Sequence, residues 1–459
     1  IYWIVVCFIY LVLCCFAIVH STFHFVKDFQ FVPLFLSAAL LGIVLMSSVS
    51  KYNSHPDEHV HWSAIDYYQE NWLPPVYDDE KVRHTYSGYG VSRLNSGEIY
   101  YDLAGKFKRI ISVFKLPDHI TTRLFNNLLF AIIVLVAFRS YYGRLLAIPL
   151  LISPQVWYLF SYANSDAFAV FITYCCGLQL VSQDSALNRF IARKGKTTVF
   201  SLLFIGMLLG SMFLLKKNYY LFIGFFYFIL LLHCLCRLDG VARKKALIRV
   251  ALITCIAGML FGVRTGLDYK VNGFDKKEKL SQLREIYADT MYRKASAATG
   301  EQHLHLYMKE RGVPLEDVIV KDRWFEKSFR SSFGQYGYMS ISAQENYYKA
   351  MKVLGCIAVF FFFGAILIRG GTFDRLTAVT ALTFSVTLIG ISLMHSWTDD
   401  FQAQGRYLFP IVGMLGVSLA TAYKVLNKSI LTLLLGLMFF MSLYSYLFVA
   451  IYHIAKVQV

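Results

Sequence analysis

Long apolar segments alternate with short charged connections along most of this 459-residue chain. Each segment approaches the roughly 20 residues that an α-helix needs to cross a hydrocarbon core about 30 Å thick. The segments are too long and too continuously apolar for the alternating strands of a membrane barrel. The pattern therefore predicts an all-α integral membrane protein, a polytopic helical bundle of about 12 spans. The predicted spans are residues 2–19, 31–49, 123–138, 145–161, 166–183, 197–215, 219–236, 246–262, 351–368, 376–394, 408–424 and 429–450.

Basic residues gather in alternate short connections between the predicted spans. Under the positive-inside rule these connections face the cytoplasm. They lie at 139–144, 189–196, 237–245, 369–375 and 424–428. The extracytoplasmic side then receives two large loops, 50–122 and 263–350, and a shorter one at 395–407. Large loops on a single side suggest that the protein works at the outer surface.

The prediction divides the chain into a transmembrane module, 1–450, and the two large loops that interrupt it. In the second loop, the helical spacing of apolar side chains over 277–290 predicts an amphipathic helix. Trp324 and Phe329, set among basic residues, predict another helix that lies in the head-group plane. Most of this loop is also explained as a packed helical cap with no chemical role.

Composition and charge refine this picture. Apolar residues make up 57% of the chain, and 45 Lys and Arg against 29 Asp and Glu give a formal net charge of +16. The positive-inside rule and anionic membrane lipids account for this excess, so we expect no nucleic-acid partner. All nine cysteines lie in apolar segments, where thiols behave as small hydrophobic groups, so no disulfide framework is expected. The first segment does not have the features of a signal peptide.

An acidic and imidazole-rich stretch opens the first large loop. Asp57 and Glu58 are adjacent and stand among His55, His59 and His61. A carboxylate held there has the chemistry of a general base toward an acceptor hydroxyl. The alternative is a solvated loop with an ordinary helix N-terminus. The cluster also has the donor types of a divalent-cation site, although it lacks the His-Glu-x-x-His spacing, and no other cofactor is expected.

Three cations at the outer ends of predicted spans are candidates for binding an anion. Lys216 and Lys217 interrupt an apolar stretch on the side where the positive-inside rule disfavours them, and Arg406 begins the eleventh span. A phosphate is the natural partner of such groups. The alternatives are snorkelling lysines and an interfacial anchor. Elsewhere, the spacing of Arg123 with its polar neighbours on the third span predicts a face that points into the bundle.

Five short motifs, taken in order, resemble those of one bacterial membrane family. They are Pro56-Asp57-Glu58-His59-Val60-His61, Ser165-Asp166, Leu215-Lys216-Lys217-Asn218-Tyr219, Ser332-Phe333-Gly334-Gln335-Tyr336-Gly337 and Gln404-Gly405-Arg406-Tyr407-Leu408-Phe409-Pro410. Together they resemble the family catalogued as domain of unknown function 2142, which belongs with the GT-C glycosyltransferases. The similarity covers roughly 31–424. It departs from the family pattern at 1–30, where an extra span precedes the usual first one, and at His59.

The resemblance implies a GT-C-like fold and an inverting glycosyltransferase. The enzyme would move a sugar from a polyprenyl-phosphate-linked donor to an envelope glycan or lipid-linked acceptor, at the extracytoplasmic face of a bacterial inner membrane. It implies Asp57 as the catalytic base, with Glu58 as the second choice, and Lys216, Lys217 and Arg406 around the donor phosphate. Further substrate-binding candidates are His59, His61, Asp166, Tyr219, Gln335, Tyr336, Gln404 and Tyr407.

Two other classes of function fit the same pattern of spans. A transporter or flippase for a lipid-linked or anionic substrate would also use about twelve spans, but the chain has no internal repeat and places its large loops on one side. A membrane scaffold within an envelope-polymer assembly is the third possibility. Among the three we favour the glycosyltransferase.

Overall fold

The computed structural model describes residues 28–192 and 199–456, and almost all of its regular structure is helical. The predicted all-α membrane protein is confirmed. The helices of the first half are α1 (Phe31–Val49), α2 (Glu58–Glu70), α3 (Ile99–Ile111), α4 (Asp118–Arg139), α5 (Tyr141–Ala147), α6 (Pro154–Phe160), α7 (Ser165–Val181), α8 (Ala186–Ala192), α9 (Val199–Phe213) and α10 (Tyr220–Arg237). Those of the second half are α11 (Gly240–Asn272), α12 (Lys276–Tyr287), α13 (Leu315–Val320), α14 (Trp324–Ser332), α15 (Glu345–Arg369), α16 (Thr372–Thr398), α17 (Pro410–Ala422), α18 (Lys428–Tyr444) and α19 (Tyr452–Ile454). A two-stranded antiparallel sheet pairs β1 (Gln335–Tyr336) with β2 (Ile341–Ser342).

Within the described residues, nine helices are long and apolar enough to cross a membrane, or ten if a bent pair counts as one span. The expected number of about 12 is therefore not confirmed within the described residues. The predicted span at 2–19 lies outside the described residues. The predicted span at 197–215 corresponds to α9, of which the structure describes Val199–Phe213.

The predicted span at 145–161 is a bent pair, because the chain turns by 104° between α5, with its continuation to Leu151, and α6, which makes it a broken span or a re-entrant loop. Pro154 begins α6 and cannot donate a backbone hydrogen bond to the preceding turn. The Ser153 side chain instead caps α6 by accepting from the backbone of Val156, and it also donates to the carbonyl of Ser332, 2.6 Å away. The bend thereby fastens the bundle to the second large loop.

Helix α11 is 33 residues long and continues to Asn272, well into the segment predicted as the loop 263–350. Its last turns are fastened to the first large loop. The backbone N–H of Tyr77 donates to the Asn272 side chain at 3.1 Å, and the Tyr77 hydroxyl donates to Asp268 at 2.6 Å. The two large loops therefore pack on each other through this helix.

The second loop contains both predicted helices, as α12 and α14. In α12, Leu283 is buried while Ile286 is exposed. The prediction for α14 needs a correction, because Trp324 is buried against the bundle, where its indole N–H donates to Ser396 Oγ at 2.8 Å. An indole N–H seeks a partner when it is buried, and Ser396 on α16 supplies one. Helix α14 is therefore packed onto α16 by its first residue.

Candidate active site

All three segments predicted to lie outside the membrane meet in one cavity of about 400 Å³. The first large loop, the second large loop and the connection from α16 to α17 each contribute side chains to its wall. The lining residues are Pro56, Asp57, Val60, Ser87, Tyr89, Val91, Arg93, Arg284, Tyr338, Met339, His395, Asp399, Asp400, Gln402, Gln404, Arg406 and Tyr407. We call this space the loop cavity. Its wall combines carboxylate, guanidinium, amide and tyrosine groups.

Asp57 lies in the wall of the loop cavity, immediately before α2. Its backbone is in the left-handed region, with φ at 57°, a conformation that Asp tolerates better than most residues. Its Oδ2 lies 3.3 Å from Arg93 Nη2 and 3.5 Å from Arg406 Nη2. Burial alone would raise the pKa of Asp57, but the nearby charges of Arg406, Arg93 and Lys216 outweigh it and hold the pKa below its ordinary value. The carboxylate is therefore ionised at neutral pH.

Each of the two arginines beside Asp57 lies in a short 3₁₀ turn that is fixed by its neighbours. Arg93 begins a single 3₁₀ turn whose N-cap, Ser92, accepts from the backbone of Leu94 and bonds the hydroxyl of Thr85 at 2.7 Å. Arg406 lies in the 3₁₀ turn Gly405–Leu408. That turn approaches Ser332 so closely that a Cβ on Gly405 would overlap it.

Glu58 points away from the loop cavity into the bundle. Its two carboxylate oxygens lie 2.8 Å from Nε and from Nη2 of Arg123, and both side chains are fully buried. The remaining Arg123 donors bond the carbonyls of Ser47, Ser50 and Lys51. The prediction that Arg123 faces inward is confirmed. Because both Glu58 oxygens are engaged, the geometry does not support Glu58 as an alternative base.

The three predicted phosphate-binding cations do not share one cavity. Arg406 lines the loop cavity, whereas Lys216 and Lys217 line an adjoining space of about 540 Å³, which we call the groove. The other residues of the groove are Arg93, Ser96, Glu98, Leu215, Asn218, Tyr220, Leu388, Ile391, Ser392, His395, Gln402 and Tyr407. Both walls include Arg93, His395, Gln402 and Tyr407, so the two spaces meet there. The predicted single phosphate site is therefore divided: Lys216 and Lys217 line the groove, and Arg406 lines the loop cavity.

The cations differ in how their charge is compensated. Lys216 Nζ lies 2.7 Å from Asp166 Oδ2, and Asp166 is fully buried at the start of α7. Arg406 is 7% exposed, and its Nε has no hydrogen-bond partner among the described residues. Lys217 makes no ion pair with an acid in that part of the chain. Lys217 and the Arg406 Nε therefore retain donors for an anion.

Two predicted histidines follow Asp57 on α2 without lining the loop cavity. His61 is buried and its Nδ1 lies 2.8 Å from the Tyr101 hydroxyl, while its Nε2 has no partner among the described residues. Burial lowers the pKa of His61 well below its ordinary value, so its ring is neutral. His59 is half-buried, and its Nδ1 also has no partner within that range.

The remaining predicted substrate-binding residues divide into two groups. Gln404 and Tyr407 lie at the loop cavity, and each donates to the side-chain oxygen of Gln402, at 2.8 and 3.2 Å. Tyr219 and Tyr336 are fully buried, and the Tyr336 hydroxyl bonds Ser445 Oγ at 2.9 Å. Gln335 donates to the carbonyl of Met339. The second group packs the bundle and the small sheet.

The residues beside Asp57 do not fit a divalent cation. Within 28–192 and 199–456, no group of three His, Cys, Asp or Glu side chains is placed to hold a metal ion. The nearest charged neighbours of Asp57 are two guanidinium groups, which would repel one. His55, a third imidazole of the same stretch, is engaged by the Tyr158 hydroxyl and by Ser50 Oγ.

Several residues of the site were not predicted from the sequence. Arg93, Arg284, Gln402 and His395 line one or both cavities. Arg93 lies 36 positions after Asp57, beyond α2 and a following loop, and no helical or strand period indicates that these two side chains meet. For His395 and Gln402, the one available signal was that both lie in the predicted extracytoplasmic loop 395–407.

The model of one protein family, described as predicted membrane proteins (DUF2142), matches residues 119–415. The chain belongs to this family. The matched range covers well over half of the chain and includes Arg123, Asp166, Lys216, Lys217 and Arg406, but it begins after the Pro56–His61 motif. No curated protein and no solved structure matches the chain.

Proposed function

We propose that this member of the family is an inverting glycosyltransferase of the GT-C type. It would transfer a sugar from a polyprenyl-phosphate donor to a hydroxyl of an envelope glycan or lipid-linked acceptor. One observation carries the proposal: an ionised carboxylate, Asp57, lies in a polar cavity that joins a groove lined by lysines and apolar residues. A base beside a site for an amphiphilic phosphate is the arrangement that such a transfer requires.

The groove suits the donor because its lining combines cationic and apolar side chains. Lys217 supplies a cation for the phosphate, and Leu215, Leu388 and Ile391 supply an apolar surface for the first isoprene units. Leu388 and Ile391 belong to α16, one of the helices long enough to cross the membrane. A prenyl chain entering from the bilayer would therefore meet this wall before its phosphate reaches the lysines.

The loop cavity suits the acceptor. Tyr89 and Tyr338 offer aromatic faces, and Gln402 and Gln404 offer amides for sugar hydroxyl groups. Asp57 would take the proton from the attacking hydroxyl as its oxygen bonds to the anomeric carbon. The bond from that carbon to the phosphate oxygen breaks in the same displacement, which inverts the centre and releases polyprenyl phosphate.

The boundary between the two spaces is where charge develops on the leaving phosphate. Arg93 lines both spaces and also pairs with Asp57, so it orients the base and faces the leaving group. Arg406 has an unpartnered Nε in the same region of the described chain. Fixed donors at such a position stabilise a transition state more than a ground state.

The proposal requires the cavity end of the bundle to face outward from a bacterial inner membrane. Cysteine variants at Asn71 and Ser281, both exposed on the cavity side, should react with an impermeant maleimide in intact cells. A variant at Lys245, exposed at the opposite end, should react only after permeabilisation. Labelling with the reverse pattern would contradict the proposed orientation.

Purified protein in vesicles, supplied with polyprenyl-phosphate sugars, tests the function itself. Release of polyprenyl phosphate together with a glycosylated acceptor supports the glycosyltransferase. Movement of intact donor across the vesicle membrane without cleavage supports a transporter or flippase. If a folded protein neither cleaves nor translocates any donor in a panel of sugars, the scaffold function remains and the proposal is contradicted.

A further inference from the structure

A separate cavity of about 520 Å³ lies at the opposite end of the bundle from the loop cavity. It is enclosed by the ends of α7, α8, α10 and α17 and by the start of α16. Its lining residues are Tyr142, Leu180, Val181, Gln183, Asn188, Ala192, Ile229, His233, Arg237, Leu238, Phe373, Asp374, Ala420, Thr421, Tyr423 and Lys424. None of these residues lines the loop cavity or the groove. The proposed function therefore leaves this cavity without a role.

Two cations from different helix ends face this cavity. The guanidinium carbon of Arg237 lies 4.3 Å from the centroid of the Phe373 ring, within cation–π range. Lys424 Nζ lies 6.0 Å from the centroid of Tyr423. Within the described residues, neither cation forms an ion pair with an acid or a hydrogen bond to an acceptor. Their donors are therefore available to a ligand.

The acids near this cavity do not neutralise the two cations. Asp374 is the acid in its lining, and its Oδ2 accepts a hydrogen bond from the backbone of Gly371. Asp184 lies close enough to Tyr142 to act on it electrostatically and is exposed to solvent. Arg189 on α8 and Arg243 on α11 add positive charge at this end of the bundle. An anion at the cavity would therefore meet an excess of positive charge.

We propose that this cavity binds a phosphate group. The two sources of that chemistry are the head group of an anionic phospholipid in the adjoining leaflet and free inorganic phosphate. Arg237 offers a planar fork suited to phosphate oxygens, and Lys424 offers a point charge from a second element. Basic pockets between membrane helices on the side that carries the basic loops are typical head-group sites. The inference does not depend on the proposed transferase activity.

The experiment uses the full chain in nanodiscs and a double variant, Arg237→Gln with Lys424→Gln. Nanodiscs of phosphatidylcholine with increasing phosphatidylglycerol report lipid binding by native mass spectrometry. Inorganic phosphate added to pure phosphatidylcholine discs reports binding of the free anion by thermal shift. The wild type should bind in at least one arm, and the variant should bind roughly 30-fold more weakly, since each cation near the surface contributes about 1 kcal/mol.

The control removes the same charge at the same end without touching the cavity. Lys244→Gln with Lys245→Gln changes two exposed lysines that do not line it. Binding in this control should remain within about twofold of the wild type. Preference for phosphatidylglycerol alone identifies a lipid head group, and a response to inorganic phosphate alone identifies a soluble anion. Equal loss in both double variants, or no binding in either arm, would overturn the proposal.

Discussion

Asp57 and Glu58 are neighbours in the sequence, yet they lie in opposite environments. Asp57 is 27% exposed in the loop cavity and faces two arginines from distant loops. Glu58 is fully buried and holds Arg123 in a two-point ion pair. Asp57 precedes α2 with a left-handed backbone and Glu58 is the first residue of the helix, so the start of α2 directs one carboxylate to each side.

The comparison separates a functional ion pair from a structural one. A buried pair with all of its donors engaged has nothing left to offer a substrate, and breaking it leaves a charge in the interior. The pairs of Asp57 are longer, partly exposed, and shared between two arginines, so a substrate can compete for them. Asp57 and its two arginines should therefore control turnover, and the Glu58–Arg123 pair should control stability.

The largest expected effect is on turnover, in Asp57→Asn. The amide keeps the shape of the side chain and also tolerates the left-handed backbone at this position, but it cannot accept a proton. Turnover should fall by about 10²- to 10⁴-fold with the melting temperature nearly unchanged. Asp78→Asn, an exposed acid in the same loop, is the matched control and should retain full activity. Wild-type turnover in Asp57→Asn would contradict the assignment of Asp57 as the catalytic base.

The second effect is on stability, in Glu58→Gln. Arg123 would remain charged and buried without its counter-ion, at a cost of about 3–5 kcal/mol in the free energy of unfolding. Denaturant titration in detergent measures this loss. Glu70→Gln, whose pair with Arg109 is exposed, should cost little. A Glu58→Gln protein that is as stable as the wild type but inactive would reverse the roles assigned to the two acids.

A smaller and pH-dependent effect is expected for Arg93→Gln. The positive charge of Arg93 helps to lower the pKa of Asp57, so its removal should raise that pKa. Because the base must be ionised, the acid limb of the kcat/KM profile should move to higher pH. A partly exposed pair is worth about 1 kcal/mol, so the acid limb should move by roughly 0.7 pH units while the rate at neutral pH changes little. The exposed Arg83→Gln serves as control, and an unmoved acid limb would show that Arg93 does not act on Asp57.

The smallest effect should follow from Trp324→Phe. Ser396 Oγ accepts from the Trp324 indole and from the backbone of Gln402, which lines the loop cavity. Losing the indole N–H should cost about 1 kcal/mol of stability and loosen this wall. We expect KM for the acceptor to rise a few-fold while kcat stays close to that of the wild type. A change in kcat without a change in KM would argue against a positioning role for α14.

Sequence reasoning was strongest where one physical constraint dominates. The thickness of the hydrocarbon core makes the long spans recognisable from their length. The free-energy cost of placing a charge in lipid led to the correct prediction that Arg123 faces the interior of the bundle. The 104° bend at Pro154 was missed because hydrophobicity reports burial without direction. The amphipathic pattern of α12 was visible from its own residues. In contrast, the burial of Trp324 depends on Ser396, which no local pattern relates to it.

The candidate site was predictable only as a set of residue types. Asp57 and Arg406 were identified by position at the ends of spans, and the structure brings them together. Their division from Lys216 and Lys217 into adjoining spaces depends on how three loops fold over the bundle. Arg93 could not be predicted for the same reason, because its contact with Asp57 joins residues that are far apart in the chain.

Helix α11 has a mechanical consequence that follows from its length. At 1.5 Å per residue its 33 residues form a rod about 50 Å long, against a hydrocarbon core of about 30 Å. Arg249, in its first half, bonds the carbonyl of Ile191, and Asn272, its last residue, bonds the backbone of Pro75. A tilt of about 5° would carry the outer end roughly 4 Å sideways, further than a hydrogen bond can stretch. Helix α11 therefore ties the loop that carries Asp57 and Glu58 to α8 at the opposite end of the bundle through one continuous helix.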